Sequence, residues 1–286
     1  MKQAALIHSN ATPAARRFLT RWVFGIWFLI ILTDPFTDLA YLPQGIFHPT
    51  GILTIPFAHG YFTAPALWAL KAGLLIFLLA AFFEFQFLMT SCLASILLVM
   101  HQGLIRGFGH ISHGEIVLLL AACLLSLLAV ADAIVRRKKR PAFSNVNIDS
   151  VPFIGILAVM CFTYSFAGIH RLVYSGPGSF FSDAILNHVL INSLTTDTWP
   201  FRLHDAVLSN GWASTLFKAG FPVLTLFEIL APLCLVSRPF RYSFVAVMFP
   251  FHILSWIFLG VFFWETLVLY MLFFDYSRGT REYPLA

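Results

Sequence analysis

His170 and Arg171 stand side by side at the end of an apolar stretch, directly after Tyr164-Ser165-Phe166-Ala167-Gly168-Ile169. An imidazole exchanges protons near neutral pH, whereas a guanidinium keeps its charge and presents a planar fork of donors. Together they suit an anionic or quinone-like ligand, Arg171 fixing oxygen charge and His170 accepting a proton. As an interfacial pair they equally suit anchoring at a membrane edge. His252 lies inside Phe251-His252-Ile253-Leu254, where an imidazole needs a buried partner, so it is a candidate for catalysis or for interhelical bonding. His110 and His113 have the i, i+3 spacing that shares a helical face, with Glu115 close behind. Local spacing fixes no third or fourth ligand, so no metal site is assigned. Arg21, about one turn into the first apolar stretch, either snorkels to headgroups or pairs inside the protein. Lys71 and Glu228 lie several residues from the nearest helix ends, which makes pairing with each other or with Arg21 a candidate role.

The elements that must position these groups are apolar and long. The chain is 59% hydrophobic and 11% charged, with a mean hydropathy of +0.83. The expected class is all-α, a polytopic transmembrane helix bundle of about eight spans within a single domain over residues 1–286. The apolar runs predict helices near Phe18 to Thr33, Ala66 to Ala81, Phe87 to Met100, Ile116 to Val135, Phe153 to Ile169, Phe221 to Val236, Ser243 to Leu259 and Val261 to Phe274. Only Gly260 punctuates the last two, which fits a hairpin or a re-entrant pair. His170 to Gly220, the longest stretch without a span, is expected to be partly helical on the external face.

Charge orients the set. Lys2, Arg16 and Arg17 precede the first run, Arg136 to Arg140 follow the fourth, Arg238 and Arg241 follow the sixth, and Arg278 and Arg281 come last, while Asp34 to Thr63 contains no Lys or Arg. The positive-inside rule then places both termini in the cytoplasm. The same rule accounts for the net charge of +5 without a nucleic-acid partner. Cys92, Cys123, Cys161 and Cys234 each lie in an apolar stretch without Cys-x-x-Cys spacing and read as small apolar residues. No small-x-small cleavage site precedes Asp34, so the first helix is expected to stay uncleaved.

Gly168-Ile169-His170-Arg171-Leu172 resembles the Gly-x-Lys-Lys-Leu stretch of vitamin K-dependent gamma-carboxylases and the wider HTTM membrane-domain family. Arg21-Trp22-Val23-Phe24-Gly25 is similar to that family's opening Arg-x-x-x-Gly helix, and His113 to its Asn-His-x-x-Leu element. Glu228, Ser237-Arg238-Pro239, Phe251-His252 and Gly260 follow in the family's order, so that the likeness runs from about Arg16 to Asp275. The resemblance implies catalytic roles for His170, Arg171, His113 and His252, cofactor contacts from Arg21 and Glu228, and a reduced, vitamin K-like quinone as cofactor. Arg171 stands where the family has its basic lysine, and a guanidinium with a pKa above about 12 cannot act as a base at neutral pH. A tryptophan shortly downstream of the lysine is replaced here by the Ser179-Phe180-Phe181 neighbourhood.

The expectation is therefore an integral membrane protein of HTTM type, binding a lipophilic quinone-like cofactor at the external face of a bacterial cytoplasmic membrane, with the scaffold kept and glutamate carboxylation not implied. The alternative is a non-catalytic membrane protein in maturation, export or immunity towards a peptide or protein. A transporter, resting on Lys71 and Glu228, ranks third.

Overall fold

A computed structural model describes residues 11–48, 63–108, 114–137, 148–195, 203–259 and 263–274. Every regular element among them is helical. The α-helices are α1 (Pro13–Thr33), α2 (Ala64–Phe82), α3 (Phe87–Gly107), α4 (Gly114–Arg137), α5 (Val151–Ser175), α6 (Ala184–Thr195), α7 (Leu203–Ser209), α8 (Gly211–Ile229), α9 (Arg238–Leu259) and the single turn α10 (Trp264–Leu267), joined in places by short 3-10 turns.

Five helices, α2, α3, α4, α5 and α9, are long and apolar enough to cross a membrane. That is compatible with an integral membrane protein. Ile76, Leu127 and Phe166 are 64%, 65% and 71% exposed on three of them, an arrangement that water would penalise and lipid would not. Three arginines, Arg16, Arg17 and Arg21, fall within α1, while Lys218, Glu228 and Pro222 fall within α8. The stretch predicted as an eighth helix, Val261 to Phe274, forms no continuous helix over its described part. It makes the four-residue α10 and a 3-10 turn at Tyr270–Phe273. The predicted sixth helix begins ten residues earlier than expected, at Gly211, and gives way after Ile229 to a 3-10 turn at Ala231–Leu235.

Local chemistry sets these boundaries. Thr12 caps α1 by accepting from the Ala15 N–H at 3.2 Å, with Pro13 at the first helical position. Pro35 then disfavours helical geometry at Asp34, where α1 stops. Asn210 caps α8, its Oδ1 accepting from the N–H of Trp212 at 3.0 Å. Gly176, with φ of +70°, follows the last residue of α5, and Pro177 follows it.

The chain forms two compact units, one within Asn10–Ile156 and one within Leu157–Ala286. In the first, α1 packs on α2, α2 on α3, α3 on α4 and α4 back on α1, a closed ring of four. Leu19, Val23, Trp27 and Ile31 repeat at i, i+4 and line its core with Leu74, Leu78, Leu98 and Leu118. Ser95 and Ser126 bridge α3 and α4 at 2.8 Å, and Ser126 also donates to the Ser91 carbonyl at 2.9 Å, the kind of polar tie that holds helices where no hydrophobic drive separates protein from lipid. In the second unit, α9 packs on α8, α6, α7 and the two 3-10 turns, with Leu157, Met160, Phe244, Met248, Leu269 and Phe273 buried.

Candidate functional site

One face of α5 organises the second unit's polar groups. Tyr164, Gly168 and Arg171 recur at i, i+4 and i+7, so they stack along a single stripe. At Gly168 an added Cβ would sit 3.0 Å from the Ile229 backbone nitrogen and 2.9 Å from its Cγ1, so only glycine lets α5 come this close to the end of α8. Ser165 secures the same approach by donating to the Ile229 carbonyl at 3.0 Å, one of the acceptors a helix end leaves unused.

That closeness brings Arg171 onto Glu228. The guanidinium grips both carboxylate oxygens, the Nη2 contact at 3.3 Å, and Nη1 also donates to Thr225 Oγ1 at 3.1 Å. The Thr225 hydroxyl in turn donates to the Phe221 carbonyl at 3.0 Å, and the Phe221 ring lies 5.2 Å from the guanidinium carbon. Glu228 is 5% exposed at its side chain and Arg171 27%. A carboxylate so enclosed needs its cation, and a bidentate guanidinium is the strongest partner available.

About two turns back along the stripe, Tyr164 joins His252 and Tyr270. Its hydroxyl is 2.6 Å from His252 Nε2 and 2.8 Å from the Tyr270 hydroxyl. All three residues are buried, with the Phe244, Phe263 and Phe273 rings packed around them. His252 lies two residues past Pro250, which interrupts the α9 hydrogen-bond ladder because it has no N–H to give. The other ring nitrogen of His252, Nδ1, is buried with no hydrogen-bond partner among the described residues, and so is the hydroxyl of Ser255, one turn further along α9.

The expected site residues are thus distributed as follows. Arg171, Glu228 and His252 lie in one unit and are tied to one α5 face. His170, adjacent to Arg171 but about 100° round the helix, is exposed and stacks on Tyr174 at 4.2 Å. Arg21 belongs to the other unit, half exposed, with its Nε 3.5 Å from Glu84. Lys71 donates to the Asp34 carbonyl at 2.7 Å, and the partner of Glu228 is Arg171. His110 and His113 lie outside the described residues. Among the described residues no three His, Cys, Asp or Glu side chains gather as a metal would require.

Residues given no role in the sequence reading also contribute. Tyr164, Thr225 and Tyr270 complete the polar stripe of the second unit. In the first, His101 is fully buried, its Nε2 2.8 Å from Asp34 Oδ2 and its ring in a T-shaped contact with Phe36, the centroids 4.6 Å apart. Gln102 beside it donates to Glu115 and lies 3.5 Å from His101 Nδ1.

Compared with models of known protein families, with curated proteins and with solved structures, the chain matches none of them. What the geometry defines is a class: a helical protein with membrane-length apolar helices and two enclosed polar constellations, each confined to its own unit.

Proposed function

We propose that this chain is an integral protein of the bacterial cytoplasmic membrane, of HTTM type, that holds a lipophilic ligand bearing hydroxyl or carbonyl oxygens against His252. The observation that carries the reading is the buried Nδ1 of His252, which has no hydrogen-bond partner among the described residues, opposite an Nε2 already engaged by Tyr164. A buried polar atom without a partner costs about 1–3 kcal/mol, so a protein that keeps one has a use for it.

The chemistry follows from the two tautomers. With the proton on Nε2, the imidazole donates to Tyr164, Tyr164 donates to Tyr270, and Nδ1 presents a lone pair that accepts a ligand hydroxyl proton. With Tyr164 donating to Nε2, Nδ1 carries the hydrogen and donates to a ligand carbonyl. Passing between the two takes one proton onto Nδ1 from the ligand hydroxyl and one off Nε2 to the Tyr164 oxygen, with the Tyr164 proton handed to Tyr270 and the Tyr270 proton leaving the cluster, so the two tyrosines would serve as a proton relay behind His252. A reduced quinone would supply ionisable hydroxyls and, once oxidised, carbonyls. Arg171 keeps N–H donors beyond those given to Glu228 and Thr225, and it holds its orientation through them. Its role is positive charge at the outer end of the stripe, with Glu228 as its positioning residue. A base at Arg171 is excluded by guanidinium chemistry.

The test is equilibrium binding of a naphthoquinol to the purified full chain in nanodiscs, followed by quenching of tryptophan fluorescence. His252→Ala is expected to weaken binding about 5- to 150-fold, the equivalent of one buried hydrogen bond. Tyr164→Phe is expected to leave binding closer to native and to slow proton release. Unchanged affinity in His252→Ala overturns the site, and the non-catalytic alternative, recognition of a peptide or protein, then stands in its place.

A further inference from the structure

Ser255 is the second buried polar group of α9 without a hydrogen-bond partner among the described residues, and it follows His252 by just under one helical turn. Its isolation is at odds with the rest of the chain. A serine or threonine inside a helix can turn its hydroxyl back onto the carbonyl four residues earlier. Ser126 does so onto Ala122 at 3.0 Å, Thr163 onto Val159 at 2.8 Å, Thr225 onto Phe221 at 3.0 Å and Ser243, on α9 itself, onto Pro239 at 3.1 Å. Ser255 makes no such bond to the Phe251 carbonyl, although only 3% of the residue is open to solvent.

Positions i and i+3 share a helix face, with Cβ atoms about 5–6 Å apart. Nδ1 is the imidazole nitrogen nearer the backbone, and Oγ is bonded directly to Cβ, so both atoms stay close to the helix and their separation is of that order, about 5–6 Å. The span is too long for a bond between them and about twice the reach of a hydrogen bond, roughly 2.7–3.2 Å. One oxygen lying between them can therefore meet both.

We propose that Ser255 is a catalytic residue of the His252 site, donating its hydroxyl proton to the same ligand oxygen that meets His252 Nδ1, and that the ligand is one whose oxygen ionises there. The inference rests on the ligand reading proposed above and adds a second contact to it. As the ligand O–H bond breaks, the proton goes to Nδ1 and the electron pair stays on the oxygen, leaving an oxyanion. A donor already aimed at that oxygen stabilises the oxyanion more than the hydroxyl it came from, because a hydrogen bond to a charged acceptor is the stronger one. Once the ligand is oxidised, its carbonyl accepts from the same donor. Among the described residues, the charged groups on α9 and on the elements packed against it are engaged or exposed. Glu228 is paired with Arg171, Lys218 with Asp183, Arg238 contacts Tyr242, Arg241 Nε donates to the Cys234 carbonyl at 2.9 Å, and Asp205 is exposed.

A nitronaphthol, whose ionised form absorbs in the visible, serves as the probe, bound to the full chain in nanodiscs at one neutral pH. Ser255→Ala is expected to lower the ratio of ionised to neutral bound probe about tenfold or more, the worth of one hydrogen bond to a charged group. The same variant is expected to unfold at the native detergent composition, because a hydroxyl without a protein partner leaves nothing stranded when it is removed. A probe that binds, depends on His252 and keeps its ionised fraction in Ser255→Ala overturns the role of Ser255 and leaves the His252 site standing. Loss of stability in Ser255→Ala overturns it as well, by making the hydroxyl a structural one. A probe that fails to bind, or binds equally to His252→Ala, overturns both the ligand reading and this inference.

Discussion

Removing Arg171 alone should harm the fold more than removing Arg171 and Glu228 together. Glu228 is 5% exposed, so Arg171→Met strands an enclosed carboxylate and is expected to destabilise by about 3–5 kcal/mol. Glu228→Leu strands a guanidinium that is 27% exposed and already near the end of α5. Its long stem lets the charge turn outward, which limits the loss to about 1–2 kcal/mol. In Arg171→Met/Glu228→Leu neither charge is left behind, and only Thr225 loses a partner. The double variant is therefore expected to be more stable than Arg171→Met alone, with a coupling energy of about 2 kcal/mol or more. Equilibrium unfolding in mixed micelles of rising denaturing-detergent content measures all four proteins. Losses that add to within about 0.5 kcal/mol would refute the buried pair and, with it, the assignment of Glu228 as the group that positions Arg171.

Gly168→Ala should cost about 1–3 kcal/mol because its Cβ meets the Ile229 backbone, while Gly178→Ala, with nothing within 4 Å, should leave the same unfolding transition in place. Ser126→Ala removes the bridge to Ser95 and the bond to the Ser91 carbonyl and should lower stability by about 0.6 kcal/mol, read from the same titration. Arg171→Lys restores a titratable amine where the resembled carboxylases have one but cannot span both Glu228 oxygens and Thr225 together. It should lose about 1 kcal/mol of stability, and assays of naphthoquinol oxidation should show a gain over the native chain if the family's pocket is retained.

Apolar runs revealed helix positions well wherever burial and lipid contact both call for apolar residues. Ile116 to Val135 lies inside α4 and Ala66 to Ala81 inside α2, with two residues or fewer to spare at each end. Polar helix ends escaped the same reading. Predicted α3 stopped at Met100, whereas the helix continues to Gly107, and the seven residues lost include His101, Gln102 and Arg106. A hydropathy boundary falls where polarity rises, which is where an internal polar cluster is built, so the Asp34 to Glu115 line was hidden by the criterion that found the helices. The pairing of Arg171 with Glu228 was out of reach for another reason: the ten residues Gly211 to Gly220, which read as part of a polar stretch without a span, carry the start of α8 back to Gly211 and fix the phase of Glu228. Tyr164 was legible in principle, seven residues before Arg171 and so on its face, once the α5 stripe rather than the adjacent pair His170-Arg171 is taken as the unit.

Nitrogen-15 NMR of His252 in nanodiscs, recorded with and without a naphthoquinol, addresses the ligand site most directly. The account predicts that Nδ1 shifts on ligand addition while Nε2 keeps its bond to Tyr164, and that the response vanishes in His252→Gln. A spectrum in which both nitrogens are unmoved at ligand concentrations that saturate binding would contradict it.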